Sequence, residues 1–93
     1  MKTGINAILI HENDNVVTVT TSLQKGSMLV FRKGDDFIEI KVVENIPVFH
    51  KVAISDFEKG APVFKYGQLI GNAVSPVTRG SHVHDHNIQS PNK

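Results

Sequence analysis

The chain has no cysteine and no tryptophan, its aromatics are five Phe and one Tyr, and no apolar run is longer than a strand. Without cysteine there are no disulfides, no zinc-thiolate sites and no thiol nucleophile, which is compatible with a reducing compartment. The N-terminal run Ala7-Ile8-Leu9-Ile10 is too short for a signal-peptide core or a membrane span, so the expectation is a cytoplasmic protein with no membrane partner. Charge of one sign is also missing. Ten Lys+Arg stand against nine Asp+Glu, a formal net charge of +1, with the basic residues scattered. A nucleic-acid surface gathers them into a basic face with interleaved aromatics, so nucleic acid is disfavoured as a partner. There is no phosphate-binding glycine loop, no Gly-x-Ser-x-Gly elbow and no pair of carboxylates at a catalytic spacing.

What is present fits one small domain. Ninety-three residues, 40% of them hydrophobic, can hold one modest core, with little length left for a deep, enclosed active site. The sequence reads as short strands punctuated by turns, an all-β chain. Ala7-Ile8-Leu9-Ile10 and the β-branched run Val16-Val17-Thr18-Val19-Thr20-Thr21 flank Glu12-Asn13-Asp14-Asn15, a turn-forming cluster, and so predict a hairpin. Residues 28–31 read as strand. Residues 37–43 alternate with period two, with Ile38, Ile40 and Val42 on the apolar face. Residues 63–66 and 69–73 predict a second hairpin turning at Gly67-Gln68. Residues 22–26 and 55–60 each predict a single turn of helix, the second capped by Ser55, ending at Gly26 and Gly60. Residues 1–88 form the expected domain and 89–93 a loose tail. One echo stands out: Leu23-Gln24-Lys25-Gly26 and Phe57-Glu58-Lys59-Gly60 each lead into an apolar strand, which suggests a pseudo-symmetric pair of corners.

Three segments carry side chains that can do chemistry. In Gly80-Ser81-His82-Val83-His84-Asp85-His86-Asn87, three histidines fall at period two. If extended, this stretch puts them on one face about 6.6 Å apart in succession. Neighbouring imidazoles can then converge on one metal ion at about 2.0–2.2 Å, with iron(II), zinc, copper and nickel all suited. The competing reading is a polar terminus whose histidines ligate nothing. His50-Lys51, between Pro47 and an apolar run, suits carboxylate recognition and proton transfer, or is an edge strand with solvated charges. Lys65-Tyr66-Gly67 at a hairpin tip can present a cation and a phenol to an anion, or pack and solvate in the ordinary way.

The segments Phe49-His50-Lys51-Val52-Ala53, Lys65-Tyr66-Gly67-x-x-Ile70-Gly71 and Gly80-x-His82-Val83-His84-x-His86-Asn87, in this order, resemble the N-terminal domain of the altronate and galactarate dehydratase family. The same domain is similar to the small subunit of sulfolactate sulfo-lyase. It is of the SAF type, with a β-clip fold. The resemblance covers about residues 5–88, with Asp14-Asn15-Val16 matching the first hairpin. Phe49 stands where the family usually has glycine, and Ser81 where it often has an acidic residue.

The resemblance implies a lyase subunit that works with a separately supplied large catalytic subunit. It implies metal-assisted β-elimination on a small anionic hydroxy or sugar acid. The cofactor it implies is a divalent metal, Fe(II), with His84, His86 and His82 as metal residues. His50, Lys51, Lys65, Tyr66 and Asn87 are the implied substrate-binding residues, and the catalytic base is unassigned. Other readings are a stand-alone module that binds sugar acids and a structural interaction domain. Short edge strands also leave a homo-oligomer open.

Overall fold

A computed structural model describes residues 4–90. Among them there is no helix; nine short strands form three antiparallel sheets. β1 (Ala7–Ile8), β2 (Val16–Val19), β5 (Lys51–Ala53) and β8 (His82–Val83) lie side by side in that order. β3 (Met28–Lys33) and β4 (Asp36–Lys41) make a two-stranded ribbon. β6 (Pro62–Lys65), β7 (Gln68–Ala73) and β9 (Ile88–Gln89) make the third sheet.

The four-stranded sheet is covered on both faces, because its strands carry apolar side chains on both sides of the pleat. Ala7, Val17, Val19 and Val52 meet Leu29, Phe31, Ile40 and Val42 of the β3–β4 ribbon in one buried cluster. Val16, Ala53 and Val83 meet Val63 and Ala73 of the β6–β7 hairpin, with Phe57 and Val77, in a second. Phe31, 1% exposed, is the largest fully buried side chain, and its burial alone stabilises by about 1.5–3 kcal/mol. In β4 the expected alternation holds: Ile40 and then Val42 are buried while Phe37, Glu39 and Lys41 are exposed.

The two expected single turns of helix are corrected. Residues 22–26 and 55–60 form corners instead, and the echo extends from two copies to four. Each corner starts at a buried apolar anchor, Leu23, Ile46, Phe57 or Val77, and the anchors bridge in two pairs, Leu23 to Ile46 and Phe57 to Val77. Each then makes a tight turn in which an amide donates three residues back: Ser27 to Gln24 O (2.9 Å), His50 to Pro47 O (3.1 Å), Ala61 to Glu58 O (2.9 Å) and Ser81 to Thr78 O (3.0 Å). The third turn residue has positive φ in every case: Gly26 (90°), Phe49 (67°), Gly60 (88°) and Gly80 (93°). Type II turns place glycine there because a Cβ is crowded at such φ. A lone Ser-to-Gly stretch carries the same capping and stopping residues as a helical turn, and tertiary pairing decides between them. Each corner is locked by reciprocal backbone bonds to a buried residue: Gly26 and Ser27 to Val42, Phe49 and His50 to Val19, Gly60 and Ala61 to Ala73, Gly80 and Ser81 to Ala53. The second corner opens into β5 and the fourth into β8.

Two smaller corrections follow. The β6–β7 hairpin turns at Tyr66-Gly67, one residue earlier than expected, and Gln89 of the expected tail pairs with Asn72 in β9. Ser90 follows in irregular backbone, and residues 91–93 of that tail lie outside the described residues.

Candidate functional site

β5 and β8 pair with Lys51 opposite Val83 and Val52 opposite His82. Because side chains alternate across a strand, His82 shares a face with Val52, and Lys51 points to the other face with Val83. The edge formed by these two strands therefore carries histidine chemistry on one side and lysine chemistry on the other.

On the histidine side, His50, from the turn before β5, lies with Nδ1 2.8 Å from Nε2 of His82. One ring donates and the other accepts. His50 stacks on His84 at 4.2 Å between centroids, and His82 stacks on His84 at 5.7 Å. One nitrogen from each of His50, His82 and His84 falls within 4.8 Å of the others. Nδ1 of His84 is buried and has no hydrogen-bond partner. Burial lowers the His50 pKa, helped by His84 and Lys51 and opposed by Asp85. Burial likewise lowers the His82 pKa, helped by His50 and His86 and opposed by Glu44. Both rings are thus biased toward the neutral form that a metal ion or a proton acceptor requires.

The loop that carries these rings is held by two side chains. Glu44 Oε2 accepts from the His82 amide at 3.0 Å. Asn87, 9% exposed, accepts from the His84 amide at 2.9 Å through Oδ1 and donates from Nδ2 to the His82 carbonyl at 2.8 Å. Its carboxamide is used within the loop, so Asn87, expected at the substrate, sits here as the frame of the histidine turn. The stretch is extended only over His82–Val83; residues 84–87 turn back, closed by the Asn87 amide on His84 O at 3.0 Å. His86 is consequently exposed and lies tilted by 37° against His82 at 5.1 Å, and His50 takes the third place in the group instead.

On the lysine side, Lys51, Lys65, Tyr66, Ile70, Asp85, Ile88 and Ser90 line an open groove of about 390 Å³. Burial lowers the Lys51 pKa, and Lys65 lowers it further against the opposing pull of Asp85. Nζ of Lys65 lies 4.8 Å from the centre of the Tyr66 ring. Sequence reasoning treated Asp14 only as a turn residue, yet it holds this hairpin tip. Its carboxylate, 4% exposed, accepts from the amides of His11 (3.1 Å), Tyr66 (3.0 Å) and Gly67 (2.8 Å). Asn15 beside it donates to Pro62 O at 2.8 Å and accepts from the Phe64 amide at 2.8 Å, next to the irregular register at Val63/Phe64.

Residues 5–91 match the SAF domain family of altronate/galactarate dehydratases. The chain belongs to this family. It is 33% identical over 86 residues to the (2R)-sulfolactate sulfo-lyase subunit alpha of Chromohalobacter salexigens, covering 88% of this chain and 92% of that one. It is 35% identical over 83 residues to the altronate dehydratase of Escherichia coli, covering 89% of this chain but 16% of the dehydratase. Against the galactarate dehydratase (L-threo-forming) of the same organism it is 30% identical over 84 residues, 15% of that protein's length. The SAF domain thus spans nearly all of one relative and about a sixth of the others. Among the described residues no helix is long and apolar enough to cross a membrane.

Proposed function

We propose that this SAF domain is the small subunit of a two-component lyase that eliminates water or sulfite from a hydroxy or sugar acid, with a separate large subunit supplying the catalytic body. The observation that carries the reading is the juxtaposition at one strand edge of a three-imidazole group and a two-lysine groove. Support for a subunit comes from the match to 92% of a relative named as subunit alpha. The names of the relatives supply the substrate class.

The donor set fits a divalent metal, and iron(II) is the ion we propose. His50, His82 and His84 would hold it, and the unpartnered Nδ1 of His84 is a lone pair or N–H with nothing else to bond. Three imidazoles with open positions are a ligand set of catalytic rather than structural sites. The nitrogens of His50 and His82 that face each other at 2.8 Å share one proton, which a bound ion would displace, because imidazole nitrogens ligate in their unprotonated form. When bound, such an ion supplies Lewis-acid stabilisation of negative charge on a substrate oxygen.

The chain's own residues bind and orient. Lys51 and Lys65 hold the carboxylate from the groove, and the anion restores the charge that burial and mutual repulsion of the two ammonium groups disfavour. Tyr66 offers its hydroxyl at the rim. The groove is open, so exclusion of water falls to the large subunit.

The test is purification of this chain from its source cells under anaerobic conditions, with mass spectrometry, metal analysis and elimination assays on altronate, galactarate and sulfolactate. A dehydratase-like large chain with iron and turnover of one of these acids is expected, with iron lost in the His50→Ala/His84→Ala double variant. Recovery of the chain alone and inert would leave a sugar-acid binding module.

A further inference from the structure

Four corners share one backbone design, and three of them place glycine at the positive-φ position. The second corner places Phe49 there instead, at φ 67°. Its backbone has no freedom to relax. The Phe49 amide donates to Val19 O at 2.9 Å and the following His50 amide closes the turn on Pro47 O. A β-carbon in this conformation is crowded against the following carbonyl. Little packing among the described residues offsets this, since Phe49 is 70% exposed, the most exposed of the large apolar residues among them. The corner itself does not need a side chain, as Gly26, Gly60 and Gly80 show. Phe49 nevertheless directly precedes His50, a member of the histidine group, on the second corner. Strained non-glycine residues concentrate at functional contacts, and aromatic side chains are the commonest anchors of protein interfaces.

We propose that Phe49 is an aromatic anchor for the large subunit, inserting into an apolar pocket of that chain and seating it over the histidine group. The inference rests on the two-subunit reading above and adds to it the point of contact. The partner is a protein because the ring offers no polar group for a small acid. In the dehydratases the matched region is 16% of the chain, so most of their length lies outside the SAF domain and can face it. Phe37, 63% exposed near the tip of the β3–β4 ribbon and without positive φ, is the natural control.

The experiment compares wild type, Phe49→Gly and Phe37→Ala for binding to the large chain identified in the wild-type purification, by calorimetry, alongside thermal melts of each free small chain. Phe49→Gly is expected to weaken the complex at least tenfold while raising the melting temperature of the free chain. Phe37→Ala is expected to leave affinity within twofold. The two readouts move in opposite directions, so misfolding cannot imitate the result. Unchanged affinity for Phe49→Gly, or an equal loss from Phe37→Ala, overturns the anchor while leaving the two-subunit reading intact. Absence of any dehydratase-like chain in the wild-type purification overturns that reading and the anchor with it.

Discussion

Substitution of Asp14 by Asn tests whether one buried carboxylate holds the lysine side of the site in place. Asp14 accepts three backbone N–H bonds at 2.8–3.1 Å, two of them from residues more than 50 positions away in the β6–β7 turn. A hydrogen bond to a charged group contributes about 1.5–3 kcal/mol net, and a buried donor left without its acceptor loses a further desolvation term. Asn keeps one oxygen, which can still serve Gly67, but turns an NH₂ toward the amides of His11 and Tyr66. Two charge-assisted bonds are lost and donors face donors. Partial hydration at the turn keeps the loss near the low end, about 3 kcal/mol. A chain of this size has roughly 5–14 kcal/mol in all, so the melting temperature should fall by about 12–24 °C. Urea denaturation followed by circular dichroism gives the free energy, and hydrogen exchange gives its location. The amides of Tyr66 and Gly67 should lose protection first. A loss below 1 kcal/mol with those two amides still protected would refute the argument that this carboxylate fixes the tip.

Other perturbations separate the remaining claims. Gly80→Ala places a Cβ 2.6 Å from Lys41 O at a φ of +93°, whereas Gly26→Ala meets nothing within 4 Å at +90°. Denaturation midpoints should show a loss of about 1–2 kcal/mol for Gly26→Ala from backbone strain alone, and a clearly larger one for Gly80→Ala. His50 and His82 have pKa values lowered from 6.5, so in the metal-free chain the unfolded state takes up protons first as pH falls. Their contribution is complete above about 6.5 and declines as pH drops through the depressed native values. The double variant His50→Gln/His82→Gln should therefore show a flatter stability profile between about pH 5 and 7 in chelator-treated buffer. Under the proposed function, Lys65→Met should weaken binding of a simple hydroxy acid to the complex by about tenfold, as loss of one charge-assisted contact implies, with metal content unchanged; a parallel change in metal content would place Lys65 elsewhere.

The strands were readable because their signal is local. The β-branched run at residues 16–21 and the alternation at 37–43 specify pleated backbone whatever they pair with. The corners were not, since Ser22 to Gly26 has the residues of a capped and terminated helical turn, and only the bridge from Leu23 to Ile46 makes it a sheet corner. Phe49 hid one copy of the echo and the dissimilar Thr78-Arg79-Gly80 another. At the site, period two suggested His82, His84 and His86, but Asn87 turns the chain after His84 and removes His86 from the group. His50 joins from 32 residues away, a meeting fixed by strand pairing and invisible to spacing. Asp14 was hidden by its own neighbourhood, a cluster of turn formers in which a buried carboxylate looks like one more polar loop residue.

The locked corners before β5 and β8 have a further consequence for motion. Each delivers its histidine one or two residues after the positive-φ position of a turn pinned by reciprocal backbone bonds to the interior, to Val19 in one case and Ala53 in the other. No backbone hinge separates His50 or His82 from the core, so their Cα positions are fixed and only side-chain rotation is left to them. This chain is therefore the anvil in the two-subunit reading proposed above: its histidine-bearing backbone is pre-set, and any closing stroke in that reading has to come from the other chain.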